Sequence, residues 1–448
     1  MPSLNKDQIK QQDTIPWLAN PIKAAKATMK KYGLWNLNQQ MGSRWPIACV
    51  ALEITQRCNL DCTLCYLSEH SQSIQDLPLE EVLRRIENIY HYYGKNTDIQ
   101  VTGGEPTLRE PSELTAIIAK ISSLGMRATL MTNGIRASRT QLERLCKAGL
   151  TDVAFHVDIT QQRRGYSTEL ELNSIRTAYL ERVKGLPVSV MFNTTLHKDN
   201  FHEVTELVRF FCDHAEQLRT VSFQLQADTG RGTLTTRTDE ITLESTLDRI
   251  NQGCRAAINF DAVQAGHPNC NRYGLALIVN KKVHNFYDDN RLFGEVLRAS
   301  KAVNWRRNKP GKSICRFVFW LLQHPSLAIR LATWGAKRLW QLRNDLTASR
   351  GKVTTLSFFT HNFMDACQLD QERIACCVFN TMTRDGPISM CLHNAKRDSF
   401  IHQAITTEEG KFWSPVSGRL TDAGQIIEVI PIDQLPSRFL KGRSRQGH

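Results

Sequence analysis

The chain has 448 residues, of which 41% are hydrophobic and 23% charged, with thirteen cysteines and a formal net charge of +13. That composition excludes wholesale disorder, and the length suits one large catalytic domain with an appended region, or two to three domains. The polar start, Met1 to Thr14, lacks an apolar h-region. No secretory signal is therefore expected, and the cysteines predict metal or redox use in a reducing cytoplasm rather than a disulfide framework.

Taken in chain order, four stretches differ in character. Residues 1–45 read as a polar and basic helical extension, with a helix near Pro21–Trp35 capping the bottom of the catalytic core. Residues 46–230 alternate β-rich runs with helical patterns. The runs are Ile47–Thr55, Asp98–Thr102, Arg127–Thr132, Asp152–Asp158, Pro187–Thr195 and Val221–Gln226, and the helices fall near 79–93, 112–124, 139–148, 170–184 and 201–215. Six such alternations predict an α/β fold with a parallel sheet and right-handed crossovers, a partial (β/α)6 TIM-like barrel that is closed or nearly so. Residues 231–350 are mixed and include a basic, Trp-rich amphipathic stretch. Residues 351–448 are a Cys-containing extension expected to pack on the barrel.

Cys58, Cys62 and Cys65 form a C-x3-C-x2-C directly after the first strand. Three thiolates on one short loop can hold three irons of a [4Fe–4S] cluster and leave the fourth open. A structural zinc site wants a fourth ligand, which this loop lacks; zinc or three free thiols is the alternative. Gly103-Gly104-Glu105-Pro106 closes the second strand, where a barrel places its active-site loops. Its glycines allow close backbone approach, and its carboxylate can accept from an ammonium group.

Together these two motifs resemble the radical SAM superfamily over about residues 45–230. The resemblance implies that Cys58, Cys62 and Cys65 hold the catalytic cluster and that Tyr66 follows as an aromatic beside it. It implies that Gly103, Gly104 and Glu105 hold the methionyl ammonium of S-adenosylmethionine, with Asn133 and Asp158 on the cofactor side. In strand four, His156 stands where many members have serine. His156, Asn193 and Gln224 read either as cavity residues or as ordinary strand-end hydrogen-bonding groups. The implied activity is reductive cleavage of S-adenosylmethionine to a 5′-deoxyadenosyl radical that abstracts hydrogen from an unactivated C–H bond, with a flavodoxin- or ferredoxin-like electron donor.

The C-terminal cysteines predict a second [4Fe–4S] cluster, held by Cys270, Cys367, one of Cys376 and Cys377 (Cys377 is preferred), and Cys391. Buried thiols around a packed hairpin are the alternative. Asp385-Gly386 signals that hairpin, which brings Cys377 and Cys391 near each other. The order Phe363-Met364-Asp365, Arg373, Cys377, Asp385-Gly386 and Cys391-x-x-Asn394 resembles the C-terminal part of tetraether lipid synthases and their pterin-methylating relatives. It departs from them in lacking a Cys-rich N-terminal extension and in reading Ser389-Met390-Cys391.

Most of the positive charge is local: residues 301–350 hold eleven Lys/Arg against Asp345 alone. Within this window the uncharged run Phe317–Ile329 is too short to span a bilayer. With Trp320, Trp334 and Trp340 it suits an interfacial helix pair broken at Pro325, on an anionic membrane surface at the inner face. Simple packing on the barrel is the alternative, and no nucleic-acid partner is expected. The expectation is a cytoplasmic, peripherally membrane-bound radical enzyme acting on a lipid or lipid-linked substrate. Its rivals are modification of a peptide or small cofactor, methylation included, and a non-enzymatic Fe–S sensor.

Overall fold

The computed structural model describes residues 21–40, 49–234, 237–303, 310–407, 409–422, 431 and 434–436. Its centre is a parallel run of six strands: β1 Cys49–Thr55, β2 Asp98–Gly103, β3 Arg127–Thr132, β4 Leu150–His156, β5 Ser189–Leu196 and β6 Leu218–Leu225, paired in that order. Helix α1 (Pro21–Lys31) precedes them, and its Ala25 and Met29 pack with Cys49 at the start of β1. The crossovers carry α2 Leu79–Tyr93, α3 Pro111–Ser123, α4 Arg139–Ala148, α5 Asn173–Val183 and α6 Val204–Asp213. β1 is buried along its whole length, as expected for a parallel strand covered on both faces. The predicted start of the first strand, Ile47–Ala48, lies outside the described residues.

The C-terminal region does more than pack on this core. After helix α7 (Leu243–Cys254), an antiparallel pair, β7 (Asn271–Val279) and β8 (Lys282–Asn285), leads through α8 (Asn290–Ala299) to two long helices, α9 (Pro310–Leu322) and α10 (Pro325–Ala348). Strand β9 (Val353–Asn362) then pairs parallel with β6, and β7 pairs antiparallel on its far side. A short helix α11 (Gln371–Ala375) precedes β10 (Phe379–Thr383), which pairs parallel with β1; β11 (Gly386–Ser389) closes the predicted hairpin through Arg384-Asp385. The sheet thus has eleven strands in the open order β11-β10-β1-β2-β3-β4-β5-β6-β9-β7-β8. A six-stranded sheet ending at β1 and β6 leaves two rows of unpaired N–H and C=O groups, and the late strands cover both. Two short helices, α12 (Met390–Ala395) and α13 (Arg397–Ile401), and a small three-stranded sheet finish the described chain.

The basic stretch forms the expected helix pair, broken at His324–Pro325. No helix of the described residues is long and apolar enough to cross a membrane. Its tryptophans divide differently from expectation. Trp334 packs edge-on against Phe286 and Phe293, and Trp320 is buried against Phe317 and His324, so only Trp340 presents a largely exposed ring. Of the cations in this window, Arg306, Arg307 and Lys309 lie outside the described residues.

Candidate active site

The loop after β1 carries Cys58, Cys62 and Cys65, all half-buried. Its position is fixed by backbone hydrogen bonds: Thr63 N–H donates to the Thr160 carbonyl (2.8 Å), while Gly104 and Glu105 N–H donate to the Thr55 and Arg57 carbonyls (2.8 Å each). A Cβ on Gly103 or Gly104 would lie 2.0 Å from the carbonyl oxygen of Thr55 or Arg57 respectively, and Gly103 has φ +131°. The two glycines therefore let the β2 end close against the β1 end, which is how the loop is held over the sheet.

The three cysteines, Tyr66, Gly103, Gly104, Glu105 and Asn133 line one cavity of about 220 Å³. Burial pushes the Cys58 thiol up to about 11 and the Cys62 thiol well above its usual value, with the nearby Arg231 opposing the rise at both. The Tyr66 hydroxyl donates to the Gly103 carbonyl (2.8 Å), tying the cluster loop to the GGE turn. Glu105 is buried and does much of its work inside the protein. Its Oε1 accepts from Thr107 N–H (3.0 Å), the Thr107 hydroxyl (2.6 Å) and the Thr132 hydroxyl (2.7 Å), and Oε2 accepts from Asn133 N–H (2.7 Å). Asn133 Nδ2 in turn donates to Asn59 Oδ1 on the cluster loop (2.7 Å).

At the end of β4 the expected roles are exchanged. Asp158 has no exposed surface; it accepts from Thr160 N–H (3.1 Å) and Thr195 N–H (2.8 Å) and pairs with His156 Nε2 (2.6 Å). It does not line the cavity, whereas His156 does. Strand β4 stops at His156, so Asp158 lies beyond it and caps the short turn Ile159–Gln161. Burial alone would lower the His156 pKa, but the Asp158 charge and hydrogen bond outweigh that and raise it, so the cavity-facing imidazole favours its protonated form. Asp158 is held well below the carboxylate range by the same pairing against the opposing effect of burial. Of the two strand-end amides, Gln224 lines the cavity and Asn193 is buried away from it.

The far wall comes from the C-terminal region: Phe363, Met364, Thr381, Met390, Cys391 and Asn394. Arg397, which sequence reasoning did not single out, locks this wall to the cluster loop. Its buried guanidinium donates to both oxygens of Glu53 on β1 (2.7 Å each), to the Tyr66 carbonyl (2.9 Å) and to Asn394 Oδ1 (2.9 Å). It also lies 4.7 Å from the Tyr66 ring centroid. Glu53 would be raised by burial, but Arg397 and His393 bring it down to about 2. A Glu in the middle of a buried strand was the available signal, since such a charge demands a partner.

Among the C-terminal thiols, Cys270, Cys377 and Cys391 lie near enough to act on one another electrostatically, although among the described residues no three metal-ligating side chains stand close enough to hold a metal ion. Cys270 is pushed up to about 11, first by burial and also by Cys377; Cys391 is pushed up to about 12 by burial, then by Cys377 and Cys270. Arg373 Nε reaches the Cys270 sulfur at 3.4 Å. Cys376 is fully buried in the apolar cluster with Val378 and Phe379, and Cys377 packs against the same cluster; Cys270 acts electrostatically on Cys376, and Cys377 acts on Cys270 and Cys391. Cys367 is exposed on the turn after β9.

Comparison with known proteins bears on the first site. Residues 52–211 match the family model of the Radical SAM superfamily. Over 186 residues the chain is 28% identical to a 7,8-dihydro-6-hydroxymethylpterin dimethyltransferase of Methanocaldococcus jannaschii, covering 40% of this chain and 36% of that one. Over 121 residues it is 36% identical to a GTP 3′,8-cyclase of Mannheimia succiniciproducens, covering 26% and 34%. The chain thus spans about a third of the length of these curated relatives. Among solved structures, Streptococcus suis SuiB bound to S-adenosylmethionine aligns over 50% of this chain and 49% of its own, with 17% identity and a TM-score of 0.35. Cys58, Cys62, Cys65 and the GGE turn all fall inside the segment that matches the Radical SAM superfamily model, and they line one cavity.

Proposed function

We propose that the protein is a radical SAM enzyme whose cavity between the cluster loop, the GGE turn and the C-terminal wall is its active site. The observation that carries this reading is the convergence of three thiols, Gly103-Gly104-Glu105 and Asn133 on one cavity. The chain also fits an anionic cluster at that place: the buried Arg231 beside Cys58 and Cys62 has two guanidinium N–H positions without an acceptor among the described residues. A reduced [4Fe–4S] cluster held there would supply the electron for cleaving S-adenosylmethionine to methionine and a 5′-deoxyadenosyl radical able to take hydrogen from a substrate C–H bond. Cys58, Cys62 and Cys65 would hold the cluster. Glu105 Oε2, with one internal donor from Asn133, keeps acceptor capacity for an ammonium group. His156, fixed by Asp158, offers a cationic donor to an anionic group in the cavity. Phe363, Met364 and Met390 exclude water from the apolar side.

The substrate is a lipid or lipid-linked molecule met at a membrane face. Support comes from helices α9 and α10, which carry half of the large exposed apolar side chains of the described residues: Ile314, Val318, Phe319, Leu322, Ile329, Leu339 and Trp340. Lys312, Arg316, Arg330, Lys337 and Arg343 are interspersed with them, a pattern suited to an anionic bilayer interface. The second reading, a soluble substrate, is favoured by the names of the relatives, a pterin methyltransferase and a nucleotide cyclase. Reconstituted protein given reductant, S-adenosylmethionine and a deuterated lipid extract separates the two. Deuterium in 5′-deoxyadenosine places the abstracted hydrogen on a lipid; unlabelled 5′-deoxyadenosine keeps the radical chemistry and discards these lipids. Flotation on phosphatidylglycerol vesicles but not phosphatidylcholine vesicles, lost in Phe319→Ser/Leu322→Ser/Trp340→Ser, supports the membrane face; equal flotation of wild type and variant removes it.

Cys270, Cys377 and Cys391 are the core of a proposed second cluster, with Cys367 as its fourth ligand. Iron and sulfide counting of the Cys58→Ala/Cys62→Ala/Cys65→Ala variant tests it: retention of about four irons per chain is expected, and retention of none discards the second site.

A further inference from the structure

After β6 the chain turns back beneath the cluster loop and runs against it backbone to backbone. Arg231 N–H donates to the Leu67 carbonyl (2.8 Å), Gly232 N–H to the Cys65 carbonyl (3.2 Å) and Thr233 N–H to the Thr63 carbonyl (2.6 Å). The approach is close enough that a Cβ on Gly230 would lie 2.4 Å from the Tyr66 carbonyl carbon, and one on Gly232 would lie 2.9 Å from the Cys65 nitrogen. This strap fixes Arg231, the residue between its glycines, which is 2% exposed. Only one arm of the guanidinium is engaged: Nη2 donates to the Leu60 carbonyl (3.2 Å) and stands 3.5 Å from Asp61 Oδ1. Nε and Nη1 are buried and have no acceptor among the described residues.

A buried donor without an acceptor carries its full desolvation cost, and two on one permanently charged group call for an anionic acceptor. The Cys58 and Cys62 thiols lie near enough for the Arg231 charge to act on both. We propose that Arg231 is a positioning residue that donates hydrogen bonds to the sulfur atoms of the cluster on Cys58, Cys62 and Cys65 and thereby raises its reduction potential. This rests on the reading of the cavity as a radical SAM active site. Reduction adds one electron, and so one negative charge, to the cluster; the guanidinium keeps its proton throughout, so no proton moves with the electron. Positive charge and N–H donors beside the sulfurs stabilise the reduced form more than the oxidised one. The strap thus sets how readily the cluster accepts the electron as well as where the loop sits.

The test is a redox titration of the reconstituted full chain, followed by electron paramagnetic resonance, with iron and sulfide counted in each sample. Arg231→Met removes charge and donors; Arg231→Lys keeps the charge but loses the planar fork. At a fixed potential the ratio of reduced to oxidised cluster is expected to fall about tenfold in Arg231→Met, equivalent to about 59 mV for one electron, and to fall less in Arg231→Lys. An unmoved midpoint in cluster-loaded variants overturns the proposal, because a merely structural arginine would change cluster occupancy and not potential. Should Arg231→Met fail to load, Arg231→Lys decides by the same measure. A wild-type chain that forms no cluster on Cys58, Cys62 and Cys65 overturns the active-site reading itself, and this inference with it.

Discussion

Arg397 ties the C-terminal wall to the cluster loop, and its replacement by methionine gives the sharpest test of the packing argument. In the wild type, Glu53 is 7% and Arg397 3% exposed, and the pair holds the Glu53 carboxyl near 2 instead of its ordinary 4.5. Because the folded value lies below the unfolded one, this stabilisation is complete above about pH 4.5 and is lost as the pH falls through about 2. The gap corresponds to about 3 kcal/mol. Arg397→Met leaves Glu53 buried with Gln56 at 2.8 Å and His393 at 3.9 Å as its remaining polar neighbours. Stranding one partner of a buried pair costs about 3–5 kcal/mol, and Glu53→Gln in the same chain should restore more than half of that. Guanidinium unfolding of the metal-free protein at pH 7 and pH 3 reads both effects. In the variant the largest opposition to burial is gone and only His393 and Gln56 still act to lower Glu53, so its carboxyl takes up a proton at higher pH than in the wild type. The difference between wild type and variant should therefore narrow by about 2 kcal/mol from pH 7 to pH 3. A variant within about 0.5 kcal/mol of wild type, or a difference that does not change with pH, refutes the reasoning.

Other outcomes rest on the same geometry. Gly104→Ala puts a methyl group 2.0 Å from the Arg57 carbonyl oxygen, so the GGE turn cannot close on β1; S-adenosylmethionine affinity, measured by calorimetry on reconstituted protein, should fall at least about tenfold. Asp158→Asn removes the charge that opposes burial at His156. The imidazole pKa should then drop below its ordinary 6.5, which a histidine-labelled NMR titration would show, and a value still above 6.5 would mean that another anion holds it. His361, packed among Phe359, Phe363 and Phe379, is lowered by burial to about 3. Its contribution to stability is complete above about pH 6.5 and declines as the pH falls toward 3, so His361→Phe should flatten the acid side of the melting-temperature profile.

The core elements, and the motifs that share the first cavity, were legible in the amino-acid pattern alone. Strand and helix patterns along residues 47–215 are local properties, legible from β-branched runs, amphipathic spacing and cap residues, and the observed elements depart from them by only a few residues at their ends. Cys58, Cys62, Cys65 and Gly103-Gly104-Glu105 were legible for the same reason, since each motif is contiguous and sits at a strand end. Which distant segments complete the sheet and the cavity emerges from long-range packing. That β10 pairs with β1 and β9 with β6 depends on which sheet edges remain open after the core has formed, and no local pattern encodes it. The exchange at β4 has a similar cause. Strand β4 ends at His156, two residues before Asp158, and the Thr160 and Thr195 amides that occupy Asp158 come from a turn and from a neighbouring strand. Arg397 and Arg231 were invisible as single letters among the chain's other cations. Each acquires its role from burial beside the cluster loop, because a guanidinium that is solvated at the surface contributes little and one removed from water must be answered by a charge or an acceptor.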